Sequence, residues 1–473
     1  MTAATAAAAG AGDSARVSGK FSVTSMSYLL SDRQGASDGI HWFWATLIFI
    51  NALVGAGVLN FPYSIDRAGG VFVSIGIQLV MVAILYIAVS CMIWCSHIRG
   101  SHYYQDTVKL YLGSGGQVIC SVLILAFSFL LCTSYIIAIG QQLEAAFEIM
   151  LSVDHEAEHP WYLQKYNLMI LVTLLIIFPF CLVRHIDALH YASAVASVSV
   201  FIVAAVVVYE FFNIEHNDVH IRYTPDRPVD VIAAIPAYAV AYMFDLCSVA
   251  VYGRFKHRRV ADFAKASGLA LSTVFVFYNV FGGFSYYTFG DRVKPNLMMN
   301  YRMKTIPIVV AQLSYSLKLC LECPIYQFLG WTAFRTLTKS PSTSDDPNAY
   351  DDDSTIALVR ATTSAFWLAA ATIIGLYAES INSVLPLASA TVVNFQMTFP
   401  GLCLYTAVNQ LALEERSLLS RPKRILLRVL AMFLVLLGLG LTIVLIVNWY
   451  FTQTQAANTA SQAVTATTAK SSV

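Results

Sequence analysis

Long, nearly uncharged apolar stretches recur along the whole chain, and they restrict it to one class of fold. A helix needs about 20 consecutive, mostly apolar residues to cross the roughly 30 Å hydrocarbon core of a bilayer. Eleven stretches meet this requirement, at 42–65, 71–96, 118–142, 166–183, 188–212, 229–252, 268–289, 305–328, 358–378, 382–407 and 425–450. They run continuously instead of alternating over about ten residues, which argues against a transmembrane β-barrel. The sequence therefore predicts an all-α integral membrane protein with eleven transmembrane helices.

The composition excludes most other classes of protein. Charged residues make up 12% of the 473 residues and hydrophobic residues 57%, whereas soluble globular proteins carry roughly 25% charged residues. This charge is too sparse to cover a water-facing surface, so neither a soluble enzyme nor a disordered chain fits. A net charge of +1 gives no electrostatic reason for a nucleic-acid partner. The sequence shows no His-rich iron box or Walker motif of an enzyme, and no repeated pore loop of a channel.

Polar segments flank the predicted transmembrane domain, which covers residues 41–452. Residues 1–12 are rich in Ala, Thr and Gly, and residues 453–473 in Thr, Ala and Gln. Residues 1–40 and 453–473 are therefore predicted to be disordered tails. Most Lys and Arg residues fall on one side of the predicted topology, in clusters such as Arg254–Lys265 and Arg416–Arg428. Because these residues favour the cytosolic side, the N-terminus is predicted to be cytosolic and the C-terminus to lie on the opposite side.

Two short motifs outside the spans bear on localisation and metal binding. Glu414–Leu419 resembles an acidic dileucine sorting signal, which favours a lysosomal or vacuolar membrane, with the plasma membrane as the alternative. His155 and His159 have a helical metal-ligand spacing, but they lie in an acidic predicted loop without further ligands. Two such histidines are more often exposed to solvent than ligands, so we expect no metal site.

Two of the predicted helices have features that break a helix. In the first span Gly55 and Gly57 flank one small residue, and Pro62 follows; the sixth span carries Pro236 and a central acid, Asp245. Glycine lowers the cost of leaving helical geometry and proline removes a donor. The two spans are five apart, so ten spans divide into five plus five, which is typical of an inverted-repeat transporter. The alternative is that the glycines only allow close helix packing.

A broken helix in a membrane can form a binding site for a zwitterion. The N-terminus freed in the first span offers amide donors and a positive dipole end to a carboxylate. We therefore expect the backbone of Val54, Gly55, Ala56 and Gly57 to hold a substrate carboxylate. Unwound backbone between Tyr242 and Asp245 is expected to hold an amino group or a side chain. Such backbone is tolerated at membrane depth where it lines a cavity.

Several segments carry a resemblance to one family. Residues 51–62, which read Asn-Ala-Leu-Val-Gly-Ala-Gly-Val-Leu-Asn-Phe-Pro, resemble the first helix of the amino acid/auxin permease family, most like its sodium-coupled neutral amino acid transporter branch. A second specific match, to its tenth helix, lies at Phe399–Leu404. Weaker matches to its sixth, seventh and eighth helices lie at Ile235-Pro236 with Val251-Tyr252, Tyr286–Gly290 and Cys323–Ile325. The resemblance implies eleven helices with a five-plus-five inverted repeat. It also implies alternating-access transport of small amino acids.

Three ionisable residues stand out near the middle of predicted spans. A charge at the bilayer centre costs at least about 2.5 kcal/mol, so it needs a partner or a purpose. Lys318 and Glu322 are four apart and share one face of the eighth helix, so they can form a structural pair or take part in ion coupling. Asp245, in the sixth helix, can bind a cationic side chain, a substrate ammonium group or a coupling proton.

The sequence departs from its relatives at positions that bear on ion coupling. The family's neutral amino acid transporters commonly have a Cys-His pair where this chain has Phe244-Asp245. They have threonine hydroxyls in the eighth helix where this chain has Lys318, Cys320 and Glu322. Na⁺ prefers hard oxygen ligands. The resemblance implies that Asn51 is one such ligand. The ammonium group of Lys318 can replace the Na⁺ ion. Sodium coupling, proton coupling and uniport therefore all stay open.

The substrate class follows from the resemblance. Small neutral L-amino acids such as glutamine are implied, and cationic amino acids are the alternative that Asp245 suggests. Tyr135, in the third span, can close over a substrate, although a packed tyrosine is the alternative. We expect a monomer that needs no cofactor other than a coupling Na⁺ or H⁺. A sensor of the same fold that binds without transporting is a further alternative.

Overall fold

The computed structural model describes residues 39–151, 160–182, 186–214, 219–225, 230–301, 305–338, 354–378, 383–413 and 420–471. Within these ranges regular structure is helical, and strand-like pairing is limited to one bridge between Ile40 and Phe255. The all-α class expected from the sequence is thus confirmed.

Fifteen α-helices lie within the described ranges. The α-helices are α1 Trp42–Leu53, α2 Phe61–Arg67, α3 Val71–Arg99, α4 Tyr104–Met150, α5 Lys165–Val172, α6 Phe178–Leu182, α7 Ile186–Asn213, α8 Asp230–Ala241, α9 Asp245–Gly253, α10 Val260–Phe289, α11 Ile306–Thr338, α12 Ser354–Tyr377, α13 Leu385–Val393, α14 Phe399–Leu413 and α15 Arg421–Ser471. Short 3₁₀-helices lie at Ala56–Asn60, Trp161–Leu163, Gly290–Arg292 and Leu297–Asn300. Two π-helical turns, Thr173–Ile177 and Asn394–Thr398, join α5 to α6 and α13 to α14.

Most of these helices are long and apolar enough to span a bilayer. In the described ranges nine helices meet that test, and a tenth is added if α1 and the helical residues Gly57–Arg67, which meet at a bend of 56°, form one broken span. The predicted span 358–378 corresponds to a shorter apolar helix, Ala361–Tyr377. The integral membrane class is therefore supported directly, and the count of eleven spans stays a prediction.

The segment 453–473, which is predicted to be a disordered tail, is helical as far as Ser471 in the structure. Helix α15 continues through the predicted tail as far as Ser471. The physical reason lies in helix cooperativity: extending an existing helix avoids the costly nucleation step. Alanine and glutamine, which are frequent in this segment, are good helix formers.

The core lies where the interrupted helices meet long continuous ones. Helix α10 packs against α1 and α2, and α8 packs against α2 and the 3₁₀-helix Ala56–Asn60. Helix α11 forms its most extensive interfaces with α4 and α7. These contacts place the two broken helices of the sequence analysis side by side.

A glycine pair between α2 and α3 holds a distant loop against the helices. Gly69 and Gly70 have φ angles of +92° and +109°, and the ψ of Gly70 is 175°, a region that only glycine adopts readily. A Cβ built on Gly70 would lie 2.1 Å from the carbonyl oxygen of Arg222, and one on Gly69 would lie 2.2 Å from the nitrogen of Pro225. The segment 219–225 therefore packs directly on backbone that has no side chain.

We expect Gly70→Ala to lower the free energy of unfolding by about 2–5 kcal/mol, because backbone strain and overpacking each cost roughly 1–3 kcal/mol. The measurement is thermal unfolding of the detergent-purified protein. Gly76→Ala is the matched control, since Gly76 lies within helix α3 and a Cβ there would have nothing within 4 Å. Equal stability of the two variants would contradict the assigned packing.

A second set of contacts closes the end of the molecule that the charge distribution assigns to the cytosol. Ile40 and the backbone of Arg254 and Lys256 exchange hydrogen bonds of 2.9 and 3.0 Å. Arg258 donates from Nη2 to the carbonyl oxygen of Ser101 at 2.8 Å. Burial first, and then the charge of Arg258, lower the pKa of the neighbouring His102. These contacts join the loop before α4 to the loop before α10.

Candidate functional site

The first break separates α1 from α2. Val54 has φ −78° and ψ 70°, and Gly55 has φ −105° and ψ −157°, so both leave helical geometry before the 3₁₀-helix begins at Ala56. The extended conformation of Gly55 is open to any residue, so backbone strain does not require glycine here. A Cβ built on Gly55 would meet only the carbonyl oxygens of Ala52 and Leu53, at 3.9 and 4.0 Å. Gly55 thus borders open space beside the break.

The second break separates α8 from α9. Helix α8 ends at Ala241, residues 242–244 are not helical, and α9 begins at Asp245. The two breaks touch each other: a Cβ built on Gly57 would lie 3.2 Å from both Cα and Cβ of Ala241. The structure thus brings together the two segments that the sequence analysis assigned to a zwitterion, Val54–Gly57 and Tyr242–Asp245.

A buried network of polar side chains lies behind the second break. The Tyr242 hydroxyl donates to Gln78 Oε1 at 2.8 Å, and Asn279 Nδ2 donates to the same oxygen at 3.0 Å. Gln78 Nε2 donates to Ser74 Oγ at 2.8 Å, and Ser74 is 2.6 Å from the Tyr238 hydroxyl. The sequence analysis missed this network, although a glutamine and an asparagine inside apolar spans were a usable signal.

Asp245 is the most isolated of the predicted site residues. It is 2% exposed, and neither carboxylate oxygen has a hydrogen-bond partner among the described residues. Tyr104 and Cys247 lie within electrostatic range of the carboxylate. Asp245 occupies the first turn of α9, where the helix dipole favours negative charge. In a low-dielectric interior such a carboxylate needs a proton or a cation.

Lys318 and Glu322 form the ion pair that their spacing suggested. Lys318 Nζ lies 2.5 Å from Glu322 Oε1, and the Tyr135 hydroxyl donates to Glu322 Oε2 at 3.3 Å. The Tyr135 ring packs edge-on against Tyr326. In the described part of the chain, no hydrogen bond or ion pair links this cluster to Asp245. The predicted ion-coupling residues therefore fall into two separate groups.

Asn51, the remaining predicted ligand, lies on α1 about one turn before the break. Its side-chain Oδ1 accepts a hydrogen bond from the Ser197 hydroxyl on α7. This contact ties the first broken helix to a neighbouring continuous helix.

A small cavity lies beyond the first break, towards the end opposite the closed loops. It is lined by Leu59, Asn60, Leu131, Ser134, Tyr135, Ala138, Pro295, Tyr315, Leu319 and Leu385. The space that the centre of a water molecule can reach is about 20 Å³, which holds about one water. Tyr135 is the predicted site residue that lines this cavity, and the cavity is too small for an amino acid in this conformation.

The described residues contain no cluster of three or more His, Cys, Asp or Glu side chains suited to a metal ion. His155 and His159 lie outside the described residues, as does the motif Glu414–Leu419.

The chain is similar to known proteins over most of its length. A family described as transmembrane amino acid transporter protein matches residues 38–450. The sodium-coupled neutral amino acid transporter 7 of Xenopus laevis is 26% identical over 364 residues, which cover 76% of this chain and 79% of that protein. The human protein of the same name is 25% identical over 372 residues, 77% and 78% of the two chains. Human solute carrier family 38 member 8 is 24% identical over 368 residues, 77% and 84%.

Proposed function

The chain belongs to the transmembrane amino acid transporter family, and we propose that it is a secondary active transporter that moves small neutral L-amino acids across a membrane by alternating access. The observation that carries the proposal is the contact between the two helix breaks at Gly57 and Ala241. Interrupted helices that meet inside the membrane supply both backbone donors and backbone acceptors at one place. The names of the relatives support neutral amino acids as the substrate class.

The two breaks can bind the two ends of a zwitterion. We propose that the α-carboxylate accepts hydrogen bonds from the amides at the start of the 3₁₀-helix, at Ala56 and Gly57, with Asn51 nearby on α1. The α-ammonium group then faces the backbone carbonyl groups at the end of α8, up to and including that of Tyr242. The absence of a side chain at Gly55 leaves the space that the substrate needs. Tyr135 lines the cavity beyond the break and can close over the bound molecule.

Alternating access requires that one end opens while the other closes. We propose that the helices form a five-plus-five inverted repeat, with the breaks of α1–α2 and α8–α9 at corresponding positions. The loop contacts around Arg258 and Ser101 close the end assigned to the cytosol. The cavity at Asn60 and Pro295 lies towards the opposite end and would widen as the carrier opens outward.

We propose that a cation is coupled to transport. The relatives are named as sodium-coupled, and we propose that Asn51 contributes an oxygen ligand near the first break. The resemblance implies a cation near the eighth helix, and we propose that the ammonium group of Lys318 replaces its charge. A second candidate is proton coupling, with cationic amino acids as possible cargo. It is favoured by the buried Asp245, whose oxygens have no hydrogen-bond partner among the described residues.

Uptake into proteoliposomes tests these proposals. Radiolabelled glutamine and arginine are offered with a sodium gradient, a proton gradient or neither, and empty liposomes serve as the control. Glutamine uptake that requires sodium supports the primary proposal. Uptake that requires only a proton gradient, or a preference for arginine, supports the second candidate. Binding of either amino acid without uptake under all three conditions would identify a sensor and overturn both.

We expect Asp245→Asn to remove the dependence of uptake on external pH if Asp245 exchanges the coupling proton. Asparagine keeps the shape of the side chain, but its amide group does not bind or release a proton at the pH values at which uptake is measured. Proton-driven accumulation should then fall to the level seen without a gradient, while exchange of internal for external substrate continues. Asp291→Asn is the control, because Asp291 is an exposed carboxylate in the short 3₁₀-helix Gly290–Arg292. An unchanged pH profile in Asp245→Asn would exclude this role.

Two further proposals concern the setting of the carrier. We propose that the N-terminus lies in the cytosol and that the protein acts as a monomer in a plasma, lysosomal or vacuolar membrane. Protease protection of N-terminally tagged protein in intact vesicles tests the orientation. Digestion of the tag by protease added on the non-cytosolic side would show the opposite orientation.

A further inference from the structure

Tyr278 of α10 lies between the two helix breaks. Its hydroxyl is 2.7 Å from the carbonyl oxygen of Leu53, the last residue of α1, and 3.4 Å from that of Ala241, the last residue of α8. The residue is completely buried. One side chain from a continuous helix thus reaches the end of both interrupted helices.

The carbonyl groups at these two positions need donors from outside their helices. The last carbonyl groups of a helix have no intrahelical partner, and membrane interior offers no bulk water to replace one. The Leu53 carbonyl also accepts the N–H of Gly55 at 2.8 Å. Because a hydroxyl has a single proton to donate, Tyr278 can fully satisfy one of the two carbonyl groups at a time. The unequal distances show that the Leu53 carbonyl is its principal acceptor here.

The ring of Tyr278 is held by aromatic contacts from the same two broken helices. It stacks on Phe61 of α2, with centroids 4.7 Å apart and an interplanar angle of 11°, and meets Tyr242 edge-on at 5.6 Å. The next residue, Asn279, hydrogen-bonds to Gln78, which also binds the Tyr242 hydroxyl. These contacts fix the direction of the hydroxyl, so a small relative shift of the breaks changes which carbonyl it binds.

We propose that Tyr278 is a positioning residue that couples the two breaks during transport. Its hydroxyl holds the end of α1 in the observed state and passes to the end of α8 when the two broken helices move relative to each other. The inference rests on the proposed transport function and adds a residue that does not itself have to touch the substrate. It acts by keeping the backbone of both breaks in the geometry that binds the zwitterion.

The test compares Tyr278→Phe with Tyr286→Phe in reconstituted full-length protein. Phenylalanine keeps the ring contacts and removes only the hydroxyl. Tyr286 lies on the same helix, and its hydroxyl accepts a hydrogen bond from the Arg222 amide at 2.9 Å, away from the breaks. We expect the KM for substrate to rise about tenfold in Tyr278→Phe, the size expected when a hydrogen bond to a buried carbonyl is lost. Vmax per folded protein should fall as well, because the hydroxyl no longer links the two breaks as they move. Tyr286→Phe should keep the wild-type KM.

A rescue variant separates positioning from simple packing. Replacing Tyr278 with 4-aminophenylalanine restores a donor at the ring tip, and the wild-type KM should return even if Tyr278→Phe folds poorly. A wild-type KM in folded Tyr278→Phe, or failure of the rescue variant to lower a raised KM, would overturn the proposal. Failure of the wild-type protein to transport any amino acid would instead contradict the proposed function. In that case the Kd of radiolabelled substrate, measured for the same variants, decides the role of Tyr278.

Discussion

Gly55→Leu is expected to lower amino acid uptake by about a hundredfold while the protein still folds. The built Cβ at Gly55 meets only two carbonyl oxygens, at 3.9 and 4.0 Å, and the residue has an extended backbone that leucine can adopt. The new side chain therefore occupies the open space proposed for the substrate. Overpacking costs roughly 1–3 kcal/mol, and each 1.4 kcal/mol is a factor of ten in affinity. Initial uptake rates and substrate-induced thermal stabilisation measure the effect.

The matched control for this variant is Gly440→Leu in α15. Gly440 is exposed, and a Cβ built there has nothing within 4 Å, so the same substitution adds a leucine without filling the breaks. We expect wild-type uptake in the control. Wild-type uptake in Gly55→Leu itself would show that the substrate does not pass this point and would remove the proposed carboxylate site.

Glu322→Gln is expected to destabilise the protein far more than Lys318→Met. The Lys318 side chain is 1% exposed and that of Glu322 is 16% exposed, so removing the carboxylate leaves an ammonium group buried without its counter-ion. Breaking a buried pair from one side costs about 3–5 kcal/mol. In Lys318→Met the carboxylate keeps some exposure and its hydrogen bond from Tyr135, so the loss should be smaller. Thermal unfolding and the yield of monodisperse protein measure both effects.

The double variant Lys318→Met/Glu322→Gln separates a structural pair from a coupling pair. Removing both charges leaves no unpaired ion, so stability should return most of the way towards wild type. If the pair is structural only, the double variant should transport with the ion dependence of the wild-type protein. If the Lys318 ammonium replaces a coupling cation, the ion dependence should change while the protein stays folded. A double variant as unstable as Glu322→Gln would contradict the assigned pairing.

The sequence predicted more of the fold than of the candidate site. Apolar stretches of about 20 residues predicted the helices because the bilayer sets their length. Gly55, Gly57 and Pro236 marked helices that are interrupted nearby, since these residue types lower the cost of a break or remove a donor. The spacing of Lys318 and Glu322 predicted an ion pair, because both belong to one helix. All of these signals are local.

The parts that were missed depend on which helices become neighbours. The hydroxyl of Tyr278 reaches Leu53 from a helix more than two hundred residues further along the chain, and no local pattern carries that relation. The same holds for the pairing of Gln78 with Asn279. The continuation of α15 through the C-terminal segment has a different physical origin. Its composition resembles that of a linker, and the preceding helix supplies the nucleus that the isolated segment would lack.

The narrow cavity beyond the first break has a consequence for energy conservation. With room for about one water molecule, this cavity is by itself too small to let a hydrated ion pass the first break. If the chain is the secondary active transporter proposed above, a carrier in this state would keep the ion gradient from dissipating at this point when substrate is scarce. Mutations that enlarge the cavity, even with binding intact, would then reveal themselves as a substrate-independent leak current.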